Sequence, residues 1–165
     1  IKKHNSYIVY LSPKGSLFSQ KKAIELSEKE HIIFIPGHYE GIDQRIIDKY
    51  VDEEISVGDY VLTNGELPAL MIIDAVGRLL PGVLGSDDST IEESHSGNLL
   101  EYPQYTRPES YMGLNVPEIL LSGHHKNIEE WRLFKSMEIT LNRRPDMIKD
   151  KSITEKYNKL AEKYK

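Results

Sequence analysis

The sequence contains no cysteine, so disulfides and thiolate metal centres are excluded. No apolar run approaches the length of a membrane span, and no secretory leader is visible. Together these absences fit a cytosolic protein. Positive charge is not in excess either: 21 Lys and Arg stand against 26 Asp and Glu, a net charge of −5. That balance argues against non-specific polyanion binding but leaves room for local basic patches. Lys2 with Lys3, Lys21 with Lys22, Arg107, Arg132 with Lys135, and Arg143 with Arg144 are the candidates, and each reads first as ordinary solvated charge. There is no Walker loop, no G-x-G-x-x-G and no internal repeat. His38, His95, His124 and His125 show no metal-ligand spacing and read as structural or solvated. No Ser-His-Asp arrangement follows from spacing.

What is present is a chain of 165 residues, 39% hydrophobic, enough for one medium domain or a domain with a small appendage. It begins at Ile1 rather than Met, as expected of a fragment or a processed form. Residues 7–11 (Tyr-Ile-Val-Tyr-Leu) predict a buried strand ended by Ser12-Pro13-Lys14-Gly15. Residues 19–30 predict an amphipathic helix, and 32–35 a second buried strand ended by Pro36-Gly37. Residues 43–50 predict a short helix capped by Asp43, and 55–57 and 60–62 short strands around Gly58. Near-continuous apolar strands alternating with helices predict a parallel sheet covered by helices, an α/β fold. The most apolar helix is expected over 67–80, with Pro68 in its first turn and Pro81-Gly82 as its stop.

Composition then changes. Residues 86–98 are polar and acidic, and a loop of this length is usually functional, a linker or disordered. Residues 99–108 read as extended. A helix over 127–142 is expected, with Asn127 and Glu130 in capping-box spacing, followed by a charged helix from about 154 to the end. A boundary is placed inside 86–110.

The loops at 12–15, 36–41 and 58–65 each follow an apolar strand, and their glycines let backbone groups approach a ligand. They converge on one site or are ordinary turns; the pattern leaves both open. Arg78 is either a helix-dipole contact paired with Asp74 or a guanidinium aimed at an anionic substrate. Glu92 and Glu93 are solvated loop carboxylates or a general base on a mobile loop.

Several stretches together resemble the bacterial tRNA (guanine-N1)-methyltransferases of the TrmD type. They are Tyr10-Leu11-Ser12-Pro13, Gly37-His38-Tyr39-Glu40-Gly41-Ile42-Asp43, Gly58-Asp59-Tyr60-Val61-Leu62, Gly65-Glu66-Leu67-Pro68-Ala69, Pro81-Gly82-Val83-Leu84-Gly85, Tyr105-Thr106-Arg107-Pro108 and Leu120-Leu121-Ser122-Gly123-His124. Trp131-Arg132 and Arg143-Arg144-Pro145 follow in order. The resemblance covers nearly the whole chain. It implies a SPOUT fold, with a parallel sheet and a deep trefoil knot, plus a small C-terminal helical domain. By domain it implies a knotted cofactor-binding part at 1–85, a linker with the catalytic loop at 86–110, and a helical tRNA-binding part at 111–165. It implies S-adenosyl-L-methionine as methyl donor, tRNA as substrate, methylation of the guanosine immediately 3′ of the anticodon, and a homodimer with shared active sites.

Carried over by motif, the implied cofactor contacts are Tyr10, Leu11, Ser12, Pro13, Gly37, Tyr39, Glu40, Gly41, Val57, Gly58, Tyr60, Leu62, Gly65 and Pro68. The implied catalytic residues are Arg78 and Glu93. Position 93 is Glu where many relatives have Asp, and Asn64 stands where many have Gly. The family's Gly-rich N-terminal portion lies outside this sequence. Two alternatives stand beside this reading: a SPOUT enzyme acting on another RNA, and a non-catalytic RNA-binding or dimerisation module.

Overall fold

A computed structural model of the chain describes residues 5–84, 94–95 and 98–164. The chain divides into two compact units, Ile1–Asp87 and Asp88–Lys165. The first is a mixed α/β unit. Its central strand β1 (Ser6–Leu17) lies between β2 (His31–Pro36) and β3 (Glu53–Ser56), and both neighbours run parallel to it. Parallel neighbours require crossover connections. Helices α1 (Gln20–Ser27) and α2 (Gln44–Tyr50) supply them, and α3 (Glu66–Gly77) follows the sheet. The Ser19 hydroxyl caps α1 by accepting from the Lys22 N–H, and the Asp43 carboxylate caps α2 by accepting from the Arg45 N–H at 2.9 Å.

The core of this unit joins Val9, Leu11 and Ile55 of the sheet to Ala23 and Leu26 of α1 and Ala69, Ile72 and Val76 of α3. Side chains alternate along a strand, so Ile8 and Tyr10 face the other way; they are buried too, as in a parallel strand covered on both faces. The Asp52 carboxylate accepts from the Ile8 N–H at 2.7 Å, and the Ile8 carbonyl accepts from the Asp52 N–H at 2.9 Å, which sets the start of β3 against β1.

Three expectations are corrected here. The strand expected over 7–11 continues to Leu17, because Leu11 and Ser16 both pair with Ile55 and residues 12–15 bulge out between them. Gly15 permits this: a Cβ there would lie 2.5 Å from the backbone C of Glu54. Residues 60–62 form no strand, although their types favour one. The Ser56 hydroxyl donates to the Gly58 carbonyl at 3.0 Å and accepts from the Gly58 N–H at 3.2 Å, a local turn that ends the ladder. The helix expected over 67–80 ends at Gly77, which leaves Arg78 at its C-cap, its N–H bonded to the Asp74 carbonyl.

The second unit contains a two-residue hairpin between β4 (Ser110–Tyr111) and β5 (Leu114–Asn115), turning through Met112 and Gly113 with φ of 51° and 80°. Among the described residues three α-helices follow: α4 (Glu118–Leu121), α5 (His125–Arg143) and α6 (Lys151–Tyr164), with a 3-10 turn at Pro145–Met147 between the last two. Trp131, Phe134, Met137 and Thr140 of α5 are buried. Phe134 stacks on Tyr157 of α6 at 5.4 Å between ring centroids. Helix α5 begins at His125, so Asn127 and Glu130 are not its capping box. They hold α6 instead: Lys163 reaches Asn127 Oδ1 at 3.3 Å and Glu130 Oε2 at 2.6 Å, and the Tyr164 hydroxyl donates to Glu130 at 3.0 Å. Among the described residues no helix is long and apolar enough to cross a membrane.

The Lys163 ammonium, followed by the Tyr164 hydroxyl, holds the Glu130 carboxyl below its ordinary value of 4.5. A depressed carboxyl stabilises the fold above its unfolded value, and the contribution is lost as pH falls through the folded value. Lys163→Met is therefore expected to melt below the wild type at pH 7, with the gap closing as pH falls below 4.5. Calorimetry at pH 7 and pH 3 checks this; a gap independent of pH removes the ion pair from the packing of α6.

Candidate functional site

Because β1, β2 and β3 are parallel, the bulge after Leu11, the turn after Pro36 and the loop after Ser56 lie at one edge of the sheet. They enclose a cavity of about 290 Å³, close to the lower end of the range for small-ligand sites, roughly 300–1,000 Å³. Its wall includes Tyr10, Leu11, Ser12 and Pro13 from the first loop, and Gly37, Tyr39, Glu40 and Gly41 from the second. Val57, Tyr60, Leu62, Gly65 and Pro68 complete it from the third loop and the start of α3. Of the cofactor contacts expected from sequence, Gly58 alone is off the wall. A Cβ at Gly58 would stand 2.9 Å from Tyr60 Cδ1, so the glycine lets the Tyr60 ring lie against the backbone.

The second and third loops meet backbone to backbone. The Gly65 N–H donates to the Gly37 carbonyl at 2.8 Å. A Cβ at Gly65 would fall 2.7 Å from Pro36 Cα and closer still to the Gly37 nitrogen. A second link lies beside it: the half-exposed side chains of His38 and Glu66 are in hydrogen-bond contact. Tyr10 is 4% exposed, and a Cβ on Gly41 would meet its hydroxyl at 3.1 Å, so the tyrosine packs beneath the second loop. Above it Tyr39 is fully exposed with φ of 51°, in the left-handed region.

The first loop is fixed from its far end. The Ser16 hydroxyl donates to Glu53 at 3.2 Å, and the same carboxylate receives Tyr7 at 3.0 Å and Lys22 at 2.9 Å. Burial, then the Glu53 carboxylate, raises the Tyr7 hydroxyl above its ordinary value of 10.0. Lys22 is raised as well, first by Glu25 and then by Glu53.

Chemically the cavity joins apolar surface from Leu11, Ile47, Ile55, Val57 and Leu62 to the backbone groups of Gly37, Gly41 and Gly65. Gly65 caps α3, so the positive end of that helix's dipole lies at the cavity. This combination suits a ligand with a flat apolar part and several polar groups. His38, Lys14, Ile42, Ile47, Ile55, Ser56, Val61, Thr63 and Asn64 also line it and were not singled out as contacts from sequence. Those in loops flank residues that were; Ile47 and Ile55 lie inside regular elements and carry no local signal. Asn64 is not among the residues with positive φ, so its side chain imposes no backbone strain.

Of the two expected catalytic residues, Arg78 is the one that lies among the described residues. Arg78 is absent from the cavity wall. It follows Pro68 by ten residues, a rise of about 15 Å along a helix. Glu93, with its neighbour Glu92, lies outside the described residues.

The family model of the tRNA (Guanine-1)-methyltransferase TrmD matches residues 1–150. The chain belongs to the TrmD family. It is 59% identical over 140 residues to a tRNA (guanine-N(1)-)-methyltransferase of Ruminiclostridium cellulolyticum, covering 85% of this chain and 60% of that protein. A protein of the same name from Carboxydothermus hydrogenoformans is 59% identical over 154 residues, covering 93% of this chain and 61% of the relative. One from Alkaliphilus oremlandii is 55% identical over 158 residues, covering 96% and 64%. The chain thus spans about 60% of the length of these TrmD relatives. A methyltransferase family implies a methyl donor.

Proposed function

We propose that this protein transfers a methyl group from S-adenosylmethionine to N1 of guanine in tRNA, at the guanosine immediately 3′ of the anticodon. The observation that carries the reading is the family match over residues 1–150, whose motif residues line one cavity at the sheet edge. When bound, S-adenosylmethionine supplies an electrophilic methyl group on a sulfonium. The apolar wall around Leu11, Ile55 and Leu62 fits its adenine, and the glycine backbones fit its polar groups. Fixing both reactants in line lowers the barrier by removing orientational freedom.

Guanine N1 carries a proton that must leave as the N1–carbon bond forms and the sulfur–carbon bond breaks. Glu93 takes that proton. Arg78 stabilises the negative charge that develops on the base, chiefly at O6. The same reading assigns a SPOUT fold with a deep trefoil knot to the loops around the cavity. The backbone contact between Gly37 and Gly65 supports it, because a knot requires these loops to pass close together. It also assigns the helical second unit to tRNA binding and places the protein in the cytoplasm.

A homodimer with shared active sites belongs to this reading. Two observations support it: Arg78 is absent from the cavity of its own subunit, and α3 exposes an apolar face. Leu67, Leu70, Met71 and Ile73 are 58%, 61%, 50% and 49% exposed. Leu70→Lys is expected to shift the protein from dimer to monomer in sedimentation and to lower methyl transfer with it. A dimer unaffected by this change moves the interface elsewhere. The function itself is tested with methyl-labelled S-adenosylmethionine and a tRNA transcript carrying two adjacent guanosines at the 3′ edge of the anticodon. Label in 1-methylguanosine is expected. No transfer by a dimeric, cofactor-binding preparation contradicts it.

A further inference from the structure

The second unit holds a larger cavity, about 840 Å³, between the 102–109 segment and helices α4 and α5. Its size falls within the small-ligand range, roughly 300–1,000 Å³. Tyr102 and Tyr105 give it aromatic walls, and the Arg132 guanidinium stands 4.7 Å from the centroid of the Tyr102 ring. Arg107 and His125 bring hydrogen-bond donors to the lining, and Glu109 and Glu129 bring acceptors. Among the described residues none of these four side chains forms a hydrogen bond or ion pair.

The combination selects its occupant. A free phosphate would be repelled by the two carboxylates. An apolar peptide would leave both signs of charge without partners. A nucleobase stacks on tyrosine and on a guanidinium plane, and its edge offers donors and acceptors together. Guanine suits the set best: its N1–H and N2–H groups donate to a carboxylate, and its O6 and N7 accept from a guanidinium.

We propose that this cavity binds an unstacked guanine nucleotide of the RNA substrate, separate from the base that is methylated. The proposal rests on the reading that the protein acts on RNA. It makes the second unit a reader of one base and not only a surface for the phosphate backbone.

Trp131 is the sole tryptophan, is 6% exposed, and has its ring 6.4 Å from that of Tyr105 on the cavity wall. Its emission therefore reports on the site. The experiment titrates the full chain with guanosine 5′-monophosphate in the presence of saturating S-adenosylhomocysteine, which occupies the other cavity. A saturable change in Trp131 emission is expected, weaker with uridine 5′-monophosphate and absent with inorganic phosphate. Arg107→Ala and Tyr102→Leu should each weaken guanosine monophosphate binding roughly tenfold, as loss of a stacking or guanidinium contact does. Circular dichroism confirms that each variant is folded, and the exposed Arg107 serves alone if Tyr102→Leu unfolds.

No saturable response, equal responses to phosphate and nucleotide, or binding untouched by Arg107→Ala each overturn the proposal. So does a response that follows protein concentration instead of nucleotide, which assigns the cavity to a second copy. No methyl transfer is read in this experiment. A negative result leaves the methyltransferase reading standing, and a failed transfer assay leaves this measurement interpretable.

Discussion

Gly65→Val is expected to destabilise the α/β unit and to weaken cofactor binding together. The glycine is required by proximity and not by an unusual φ, because its backbone has φ of −90°. Any Cβ would fall 2.7 Å from Pro36 Cα, and backbone atoms there have no rotamer to escape into. The loop pair must separate, and the 2.8 Å hydrogen bond from Gly65 to Gly37 is lost with it. Overpacking of this kind and one lost hydrogen bond together cost about 2–4 kcal/mol, a fall in Tm of roughly 5–15 °C for a chain of this size. The two loops form opposite parts of the cavity wall, so S-adenosylmethionine affinity should fall at least about tenfold, the equivalent of ~1.4 kcal/mol. Calorimetric melting and titration calorimetry check both. Gly65→Ala should show a smaller version of the same pair of effects. A valine variant that melts normally and binds normally would mean that the loops are not in backbone contact.

Glu93→Gln is expected to lower methyl transfer by about 10²–10⁴, the usual contribution of a positioned general base. The amide keeps the size of the carboxylate but cannot accept the N1 proton. Cofactor affinity should stay near that of the wild type, because the role proposed for Glu93 is toward the guanine base and not toward the cofactor. The signature is a lower kcat with an unchanged KM for the cofactor. Glu92→Gln serves as the comparison: a large loss there, with Glu93→Gln active, transfers the role to Glu92. Arg78→Ala should also slow transfer and spare cofactor binding.

The parallel sheet was legible because 7–11 and 32–35 are apolar runs closed by Pro and Gly, with a charged amphipathic helix between them. Asp43 was legible as a cap because its carboxylate acts on an N–H two residues away. The continuation of β1 to Leu17 was not, because it depends on two residues of one strand meeting a single residue of another. Tyr60, Val61 and Leu62 have strand-forming side chains, yet propensity yields where the turn held by Ser56 ends the ladder. Asn127 and Glu130 have the spacing of a capping box, but that spacing also faces a neighbouring helix, and Lys163 and Tyr164 of α6 use it.

The cavity was legible through its motifs and not through periodicity, since glycine turns alone suit any α/β protein. His38 read as structural or solvated, with no partner named; its contact with Glu66 joins residues 28 positions apart, which no local pattern reveals. Arg144 read as part of a basic patch with Arg143. Its guanidinium is held by Asp146 at 2.9 and 2.7 Å, so part of that charge is already balanced. The cavity of the second unit carried no signal in sequence beyond its Tyr-Thr-Arg-Pro stretch, because its walls come from segments that only the fold brings together.

Crystals of the protein soaked with S-adenosylmethionine test the central claim most directly. Density is expected between the loops at 12–15, 36–41 and 57–65, against Tyr10, Gly37 and Gly65. Density at another place, or none in this cavity at saturating S-adenosylmethionine, would contradict the assignment of these loops to the methyl donor.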